Sequence, residues 1–371
     1  EGVTQPIFAK ALAIGSDQEG PAILITVDNC GVPASVRNAV VQRLNQPQGI
    51  KPERVAVSSS HCHSAPCLAG LLPNLFGEAI PPEHQVQIDR YTRELTDKLE
   101  QVALAALADR KRGRLAWSQG QAGFAKNRRT AGGPVDHALP ILIVTDAKGK
   151  LRAVVANYAC HCTTVDGEFN QVCGDWAGYA QEFLERDHPG AIALVAVGCG
   201  ADANPFPRTG IDLAKQHGQE IATEVNRLLA NPVNAIHGKL ECRTKQIELL
   251  FDTPPTRQQW EERAKQPGAV GYHAQGNLAR LDRGETLPTT LPYLVQTWNF
   301  GGDLAMVFLP GEVVVDYSLR LKKEFDSARL WVNAYANDVP GYIPSRRILK
   351  EGGYEGGDAM VYYDRPTKLA M

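Results

Sequence analysis

The sequence lacks several signatures that would have settled its chemistry at once. It has no run of about 18 apolar residues, so no transmembrane helix is predicted. No Cys-x-x-Cys pair occurs, which argues against a standard cysteine zinc cluster. There is no P-loop and no Gly-x-Ser-x-Gly elbow. A Gly-x-Gly follows an apolar run at Gly198 and Gly200, but the third glycine is missing and Asn204-Pro205 would break the helix that holds a pyrophosphate. A dinucleotide site is therefore excluded. The chain also lacks net charge, at -2, and has no basic stripe with interleaved aromatics, so nothing points to nucleic acid. Its opening stretch, Glu1 to Gly15, has neither the basic start nor the apolar centre of a signal peptide and reads as mature chain.

What remains is ordinary globular composition: 371 residues, 43% apolar and 22% charged. A chain this long buries a core without staples. Length alone suggests two domains of roughly 150 residues, and one large domain fits as well. The eight cysteines are Cys30, Cys62, Cys67, Cys160, Cys162, Cys173, Cys199 and Cys242. Their even number permits disulfides, but we read them first as small buried hydrophobes.

Short apolar runs alternate with amphipathic ones. Pro21 to Asp28, "RVAVSSS", "LPILIVTD", "LRAVVANYA" and "AIALVAVG" read as strands, the last buried on both faces. "DAKGK" reads as a hairpin turn. Glu83 to Lys111 carries Tyr91, Leu95, Leu99 and Val102 on one helical face. Asp175 to Asp187, Asp212 to Leu229 and "GEVVVDYSLRLKKEF" also read as helices. Residues 252–292 are polar and locally helical, a peripheral excursion. The mixture indicates an α/β fold, with a mixed β-sheet core flanked by helices.

Six stretches can carry chemistry. In "SSSHCHSAP", His61 and His63 lie two apart at a strand end, so both point to one face of an extended backbone and Cys62 to the other. That spacing suits two imidazoles around one centre, although a hydrogen-bonded surface pair fits too. His161 closes the strand of "NYACHCTTVDG". A satisfied core histidine is the simpler reading, and its weight comes from repeating the order strand, histidine, hydroxyl residues. Asp175 can cap its helix or orient a metal-bound histidine. "VGCGADANP" reads as a tight strand-end loop presenting Asp202 and Asn204. Glu312 follows a Pro-Gly break, where a helix dipole favours its charge and a metal could also use it. "NAYANDVPGYIPSRR" is a loop with two tyrosines, the kind of segment that carries function more often than packing.

Taken in order, these stretches resemble the neutral/alkaline ceramidase family. "SSHCHSAP" is similar to its THTHSGP histidine motif, "KNRRTAG" to its Asn-Arg motif with Arg128 as counterpart, and "GDWAGYA" to its Gly-Asp…Gly-Tyr-Ala helix start. "GADANP" resembles its GDVSPN loop, "PGEVVV" its Pro-x-Glu segment and "NDVPGY" its Asn-x-Tyr-x-x-Tyr loop. The resemblance implies zinc, with His61, His161, Glu312 and Tyr342 as ligands. It implies His63, Arg128 and Tyr342 as catalytic groups, Asp202 and Asn204 toward the substrate, and Asp175 and Asp28 behind the ligands. It further implies one catalytic domain over 1–371 without the family's C-terminal immunoglobulin-like domain, and a secreted or periplasmic location. Asn204 stands where the family has a serine, and Val339 where it has the first loop tyrosine. These departures bear on substrate rather than on metal. The expectation is a zinc-dependent hydrolase for a small-molecule N-acyl or O-acyl substrate, not restricted to ceramide. Two alternatives stay open: an inactive metal-binding domain for lipid or glycan, and a thiol-based redox protein, since Cys62, Cys160, Cys162 and Cys199 crowd the motifs. The oligomeric state is unspecified.

Overall fold

The computed structural model describes residues 2–371, and the expected mixed α/β class holds. A first sheet pairs β1 (Ala9–Ile14) antiparallel with β2 (Ala22–Val27) and β2 parallel with β3 (Val55–Ser59). The residues of β2, AILITV, are buried at every position, as a strand covered on both faces requires. Helix α1 (Ala34–Gln48) connects β2 to β3, and α2 (Pro82–Ala108) packs beside it. Val36, Val40 and Leu44 of α1 meet Leu95, Leu99 and Ala103 of α2 in one cluster with Ile23 and Ile25.

The second sheet comes from the middle of the chain. It draws on β4 (Gly113–Gln121), then, past the short β5 (Ala125–Asn127), on β6 (Ala138–Asp146), β7 (Leu151–Tyr158) and β8 (Ile192–Val197). After β9 (Ala203–Pro205), β10 (Asn234–Ile236) completes it in the order β10-β4-β6-β7-β8. Only β7 and β8 run parallel in it. Period-two alternation divides its side chains. Ile141, Val154 and Val195 pack under α3 (Asp175–Asp187) and α4 (Ile211–Leu229), while Leu142, Val155 and Leu194 face Leu24, Trp298 and Trp331. Each fully buried aliphatic side chain here contributes on the order of 1.5–3 kcal/mol.

The third sheet has the order β11-β12-β13-β15, from β11 (Leu240–Leu250), β12 (Thr290–Phe300), β13 (Ala305–Phe308) and, beyond β14 (Glu312–Val313), β15 (Leu330–Asn333). Helices α5 (Arg257–Arg263) and α6 (Gly268–Asp282) lie between β11 and β12, within the polar excursion. A two-residue β16 (Tyr342–Ile343) pairs in parallel with β14. Helix α7 (Val315–Glu324) precedes β15, and the short α8 (Arg346–Glu351) and α9 (Gly353–Gly356) follow β16.

The segments that leave β3, β7, β8, β13 and β15 meet at one point. Backbone bonds sew the three sheets together there. Ala334 N donates to Val197 O (2.9 Å), Ser59 N to Tyr335 O (3.1 Å), Asn337 N to Val57 O (2.7 Å) and Ala201 N to Val313 O (3.2 Å). Among the described residues, no helix is long and apolar enough to cross a membrane.

Candidate metal centre

His61 leaves β3 with φ +56, a left-handed conformation that a side-chain-bearing residue adopts only under constraint. The constraint is visible: Ser60 N donates to Val27 O (2.9 Å), and the imidazole Nδ1 lies 2.6 Å from Cys30 O. A carbonyl only accepts, so Nδ1 carries the proton and Nε2 keeps a free lone pair. His161 repeats the device. Its backbone N donates to Ala203 O (3.0 Å), and its Nδ1 lies 2.8 Å from Gly200 O. Gly200 is glycine for a reason, because a Cβ there would come within 2.5 Å of the backbone at Ala159 and Cys160. The Gly-x-Gly that resembled a nucleotide loop is thus the backbone that orients a histidine.

Glu312 is placed by register. It pairs with Tyr342 across β14 and β16, and its N donates to Gly341 O (2.9 Å). Here the structure departs from the helix read over Gly311 to Phe325: α7 begins only at Val315, where Asp202 Oδ1 accepts from Val315 N (2.8 Å). Pairing with β16 holds Glu312 extended ahead of that helix.

The two free Nε2 atoms and one carboxylate oxygen converge. His61 Nε2 lies 3.3 Å and His161 Nε2 3.1 Å from Glu312 Oε2. All three side chains are buried, at 1%, 1% and 3% exposed, and their donor atoms lie within 4.8 Å of one another. A second donor group, Cys30, His61 and His63, falls within the same reach and shares His61 with the first; its Cys30 Sγ lies on the Nδ1 side, 3.7 Å from an atom already committed to Cys30 O. Two unprotonated imidazole nitrogens facing a carboxylate in a buried pocket fit a divalent cation of intermediate softness. Considered among protein groups alone, Glu312 stays ionised. Burial would raise its pKa, but the charges and hydrogen bonds of His61 and His161 hold it well below the carboxylate range. Burial would lower His61, but the Glu312 charge wins and raises it. Burial and the Arg128 charge lower His161.

The other predicted residues fall into two groups. His63 is drawn in, with Nε2 3.2 Å from His61 Nε2, and is the one exposed imidazole of the three. Arg128 follows β5, which pairs with β9, and its N donates to Asp202 O (2.8 Å). Its guanidinium donates from Nη2 to Tyr342 Oη (2.9 Å) and from Nη1 to Asn204 Oδ1 (3.4 Å), and Nη1 lies 3.4 Å from His161 Nε2. Asp28 and Asp175 are not brought to the histidines. Asp28 accepts from Phe8 N (3.0 Å) and Gln181 Nε2 (3.1 Å), and Asp175 from the amides of Thr164, Val165 and Trp176. Asp202 likewise holds backbone and Asn127 Nδ2 (3.2 Å) rather than facing the cavity. The orienting task assigned to carboxylates belongs to the carbonyls of Cys30 and Gly200, which carry no side-chain signal.

Sequence reasoning missed two residues, Glu355 and Tyr363, and gave a third, Tyr335, only as one of two tyrosines in a candidate functional loop. Glu355 accepts from Arg128 Nε (2.6 Å) and Arg129 Nη1 (2.5 Å). Tyr363 donates to Glu312 Oε1. Tyr335 stacks on His61, with ring centroids 4.2 Å apart. Glu355 and Tyr363 lie in an aperiodic tail, and the only available hint was that buried arginines need a counter-charge. The eight cysteines are unpaired, and Cys62, Cys160, Cys162, Cys173 and Cys199 are buried. Burial raises the thiols of these five, which disfavours thiolate chemistry.

Residues 1–204 match the family model described as neutral/alkaline non-lysosomal ceramidase, N-terminal. No curated protein matches the chain. Among solved structures, neutral ceramidase from Pseudomonas aeruginosa is 18% identical, with a TM-score of 0.73 over 96% of this chain and 66% of that one. A structure described as ceramidase complexed with C2 is 18% identical, with a TM-score of 0.74 over 99% of this chain and 67% of that one. The chain therefore spans about two thirds of the length of these structures. At this identity the likeness is one of fold.

Proposed function

This chain belongs to the neutral/alkaline non-lysosomal ceramidase family, and from that premise we propose that it is a zinc-dependent hydrolase that cleaves the amide or ester bond of a small N-acyl or O-acyl substrate. The observation that carries the reading is the convergence of His61 Nε2, His161 Nε2 and Glu312 Oε2, with both Nδ1 atoms committed to carbonyls. His61, His161 and Glu312 would hold the metal, with Tyr342 beside them. A zinc ion held there would supply Lewis acidity and a nucleophile at neutral pH.

The protein's own groups do the rest. Arg128 points its guanidinium at the side of His161 and is held from behind by Glu355, so its charge is available to a carbonyl oxygen that becomes anionic. Tyr342 fixes the other edge of the same guanidinium. His63, exposed and adjacent to His61, is placed to carry a proton to the leaving group. A cavity of about 730 Å³ opens beside Arg128 and is lined by Arg129, Thr130, Glu351, Tyr354 and Glu355.

The test is the metal content of wild type and His161→Ala by elemental analysis, with hydrolysis of a panel of N-acyl and O-acyl substrates. Near-stoichiometric zinc is expected in the wild type. The variant should lose the metal and more than about a hundredfold of the activity together. A wild type that neither retains nor takes up a divalent metal overturns the reading.

A further inference from the structure

Tyr335, the first of the two tyrosines in the loop from Asn333 to Arg347, is held with unusual care. It sits just beyond β15 with φ +51, a conformation that costs energy for any residue with a Cβ. Three contacts enforce it: Tyr335 N donates to Gly311 O (3.0 Å), and Tyr335 O accepts from Ser59 N (3.1 Å) and Ser59 Oγ (3.3 Å). One partner lies on the strand that delivers His61 and the other on the turn that delivers Glu312. The ring is consequently stacked on His61 at an interplanar angle of 25° and stands edge-on to His161 at 6.2 Å.

The hydroxyl of this ring is buried and has no hydrogen-bond partner among the described residues. Its neighbours at the centre are all engaged, Tyr342 by Arg128 and Tyr363 by Glu312. A buried hydroxyl left unpaired is costly, and native structures rarely keep one without a use. The ring's contacts with both candidate ligands, His61 and His161, place Tyr335 directly against the donor set. Stacking on a histidine would need only the ring, so the hydroxyl requires a separate explanation.

We propose that Tyr335 is a catalytic residue whose hydroxyl donates a hydrogen bond to the substrate's acyl oxygen, alongside Arg128, as that oxygen becomes negative. The phenol keeps its proton throughout: no bond is made or broken at Tyr335. The role rests on the hydrolase reading given above.

The test is Tyr335→Phe, which keeps the ring and removes only the hydroxyl. Three quantities are measured against wild type: zinc content, melting temperature, and the dissociation constant of acetohydroxamate, a small carbonyl-bearing probe of metal centres. Turnover of whichever panel substrate the wild type hydrolyses is the fourth. Unchanged zinc, a melting temperature equal to or above that of wild type, an acetohydroxamate Kd about tenfold weaker and a kcat about a hundredfold lower are expected. Unchanged Kd and kcat overturn the proposal. So does a variant that loses zinc or melts lower, because the hydroxyl then has a structural partner. Failure of the hydrolase reading shows differently, as a wild type that holds no metal and binds no acetohydroxamate, and the proposal falls with it.

Discussion

Glu355 supplies the negative charge that pairs with Arg128 at the candidate metal centre and with the adjacent Arg129, and replacing it by glutamine isolates that charge. Its carboxylate is 4% exposed and accepts from Arg128 Nε at 2.6 Å and from Arg129 Nη1 at 2.5 Å. In Glu355→Gln one oxygen remains an acceptor, but the new amide nitrogen turns a donor toward a guanidinium that can only donate. Removing one member of a buried pair costs about 3–5 kcal/mol. Both arginines keep other partners: Arg128 retains Tyr342, and Arg129 retains Gly352 O (2.9 Å) and Glu351 (3.2 Å). The low end, about 3 kcal/mol, therefore applies. At roughly 2.1 cal/mol/K per residue, a chain of 371 residues unfolds with an entropy near 0.8 kcal/mol/K, so the melting temperature should fall by about 4 °C. Calorimetry reads that shift. Because Arg128 loses the anchor behind its Nε, kcat/KM should fall by about 10- to 100-fold in the same variant. An unchanged melting temperature together with unchanged turnover would refute the claim that Glu355 holds Arg128 in place.

Two further expectations concern a buried histidine far from the centre and the thiols. His273 is 3% exposed and packs edge-on against Trp260, and burial lowers its pKa to about 4 against the opposing pull of Asp364. The folded chain therefore refuses a proton that the unfolded chain accepts below about pH 6.5, so stability falls as pH drops from about 6.5 to about 4, by up to about 3 kcal/mol. Urea unfolding of wild type and His273→Phe across that window should show the steeper loss in wild type, and equal slopes would sink the assignment. Thiol labelling of the native protein should modify the exposed Cys67 and spare Cys62, Cys160, Cys162, Cys173 and Cys199 until denaturant is added. Rapid native labelling of the buried five would revive thiol chemistry.

Much of the framework was legible because burial writes itself into periodicity. The residues AILITV, apolar but for Thr26, and IALVAV, apolar throughout, are interior strands, with only Ile192 at the start of the second exposed. The helix expected over Glu83 to Lys111 spans Pro82–Ala108. The helix expected to carry Glu312 failed at its start for a reason no local pattern contains: Glu312 and Val313 pair with Tyr342 and Ile343, which lie about thirty residues on. Candidate ligands were legible as histidines at strand ends, but their convergence depends on contacts such as Ser59 with Tyr335 and Ala334 with Val197, which join three sheets. Glu355 and Tyr363 were invisible for the same reason, and Tyr335 was legible only as a loop tyrosine, since each owes its place to partners far away in sequence.

The carbonyl partners of the two histidines also bear on what the centre can do. A carboxylate behind an imidazole adds negative charge and raises its basicity. Cys30 O and Gly200 O fix the same tautomer while adding no net charge. In the proposed site, Glu312 is then the one anion facing the metal position, and the Arg128 charge on the opposite flank is balanced from behind by Glu355 rather than from within the pocket. A divalent cation among His61, His161 and Glu312 would leave the pocket with net positive charge. Positive charge fixed in a buried site stabilises an oxygen that becomes anionic far more than it would in water. This balance favours an acyl carbonyl as the reacting group. It also explains why Asp28 and Asp175 serve the fold better at a distance, where each is satisfied by backbone or amide donors, than they would behind the histidines.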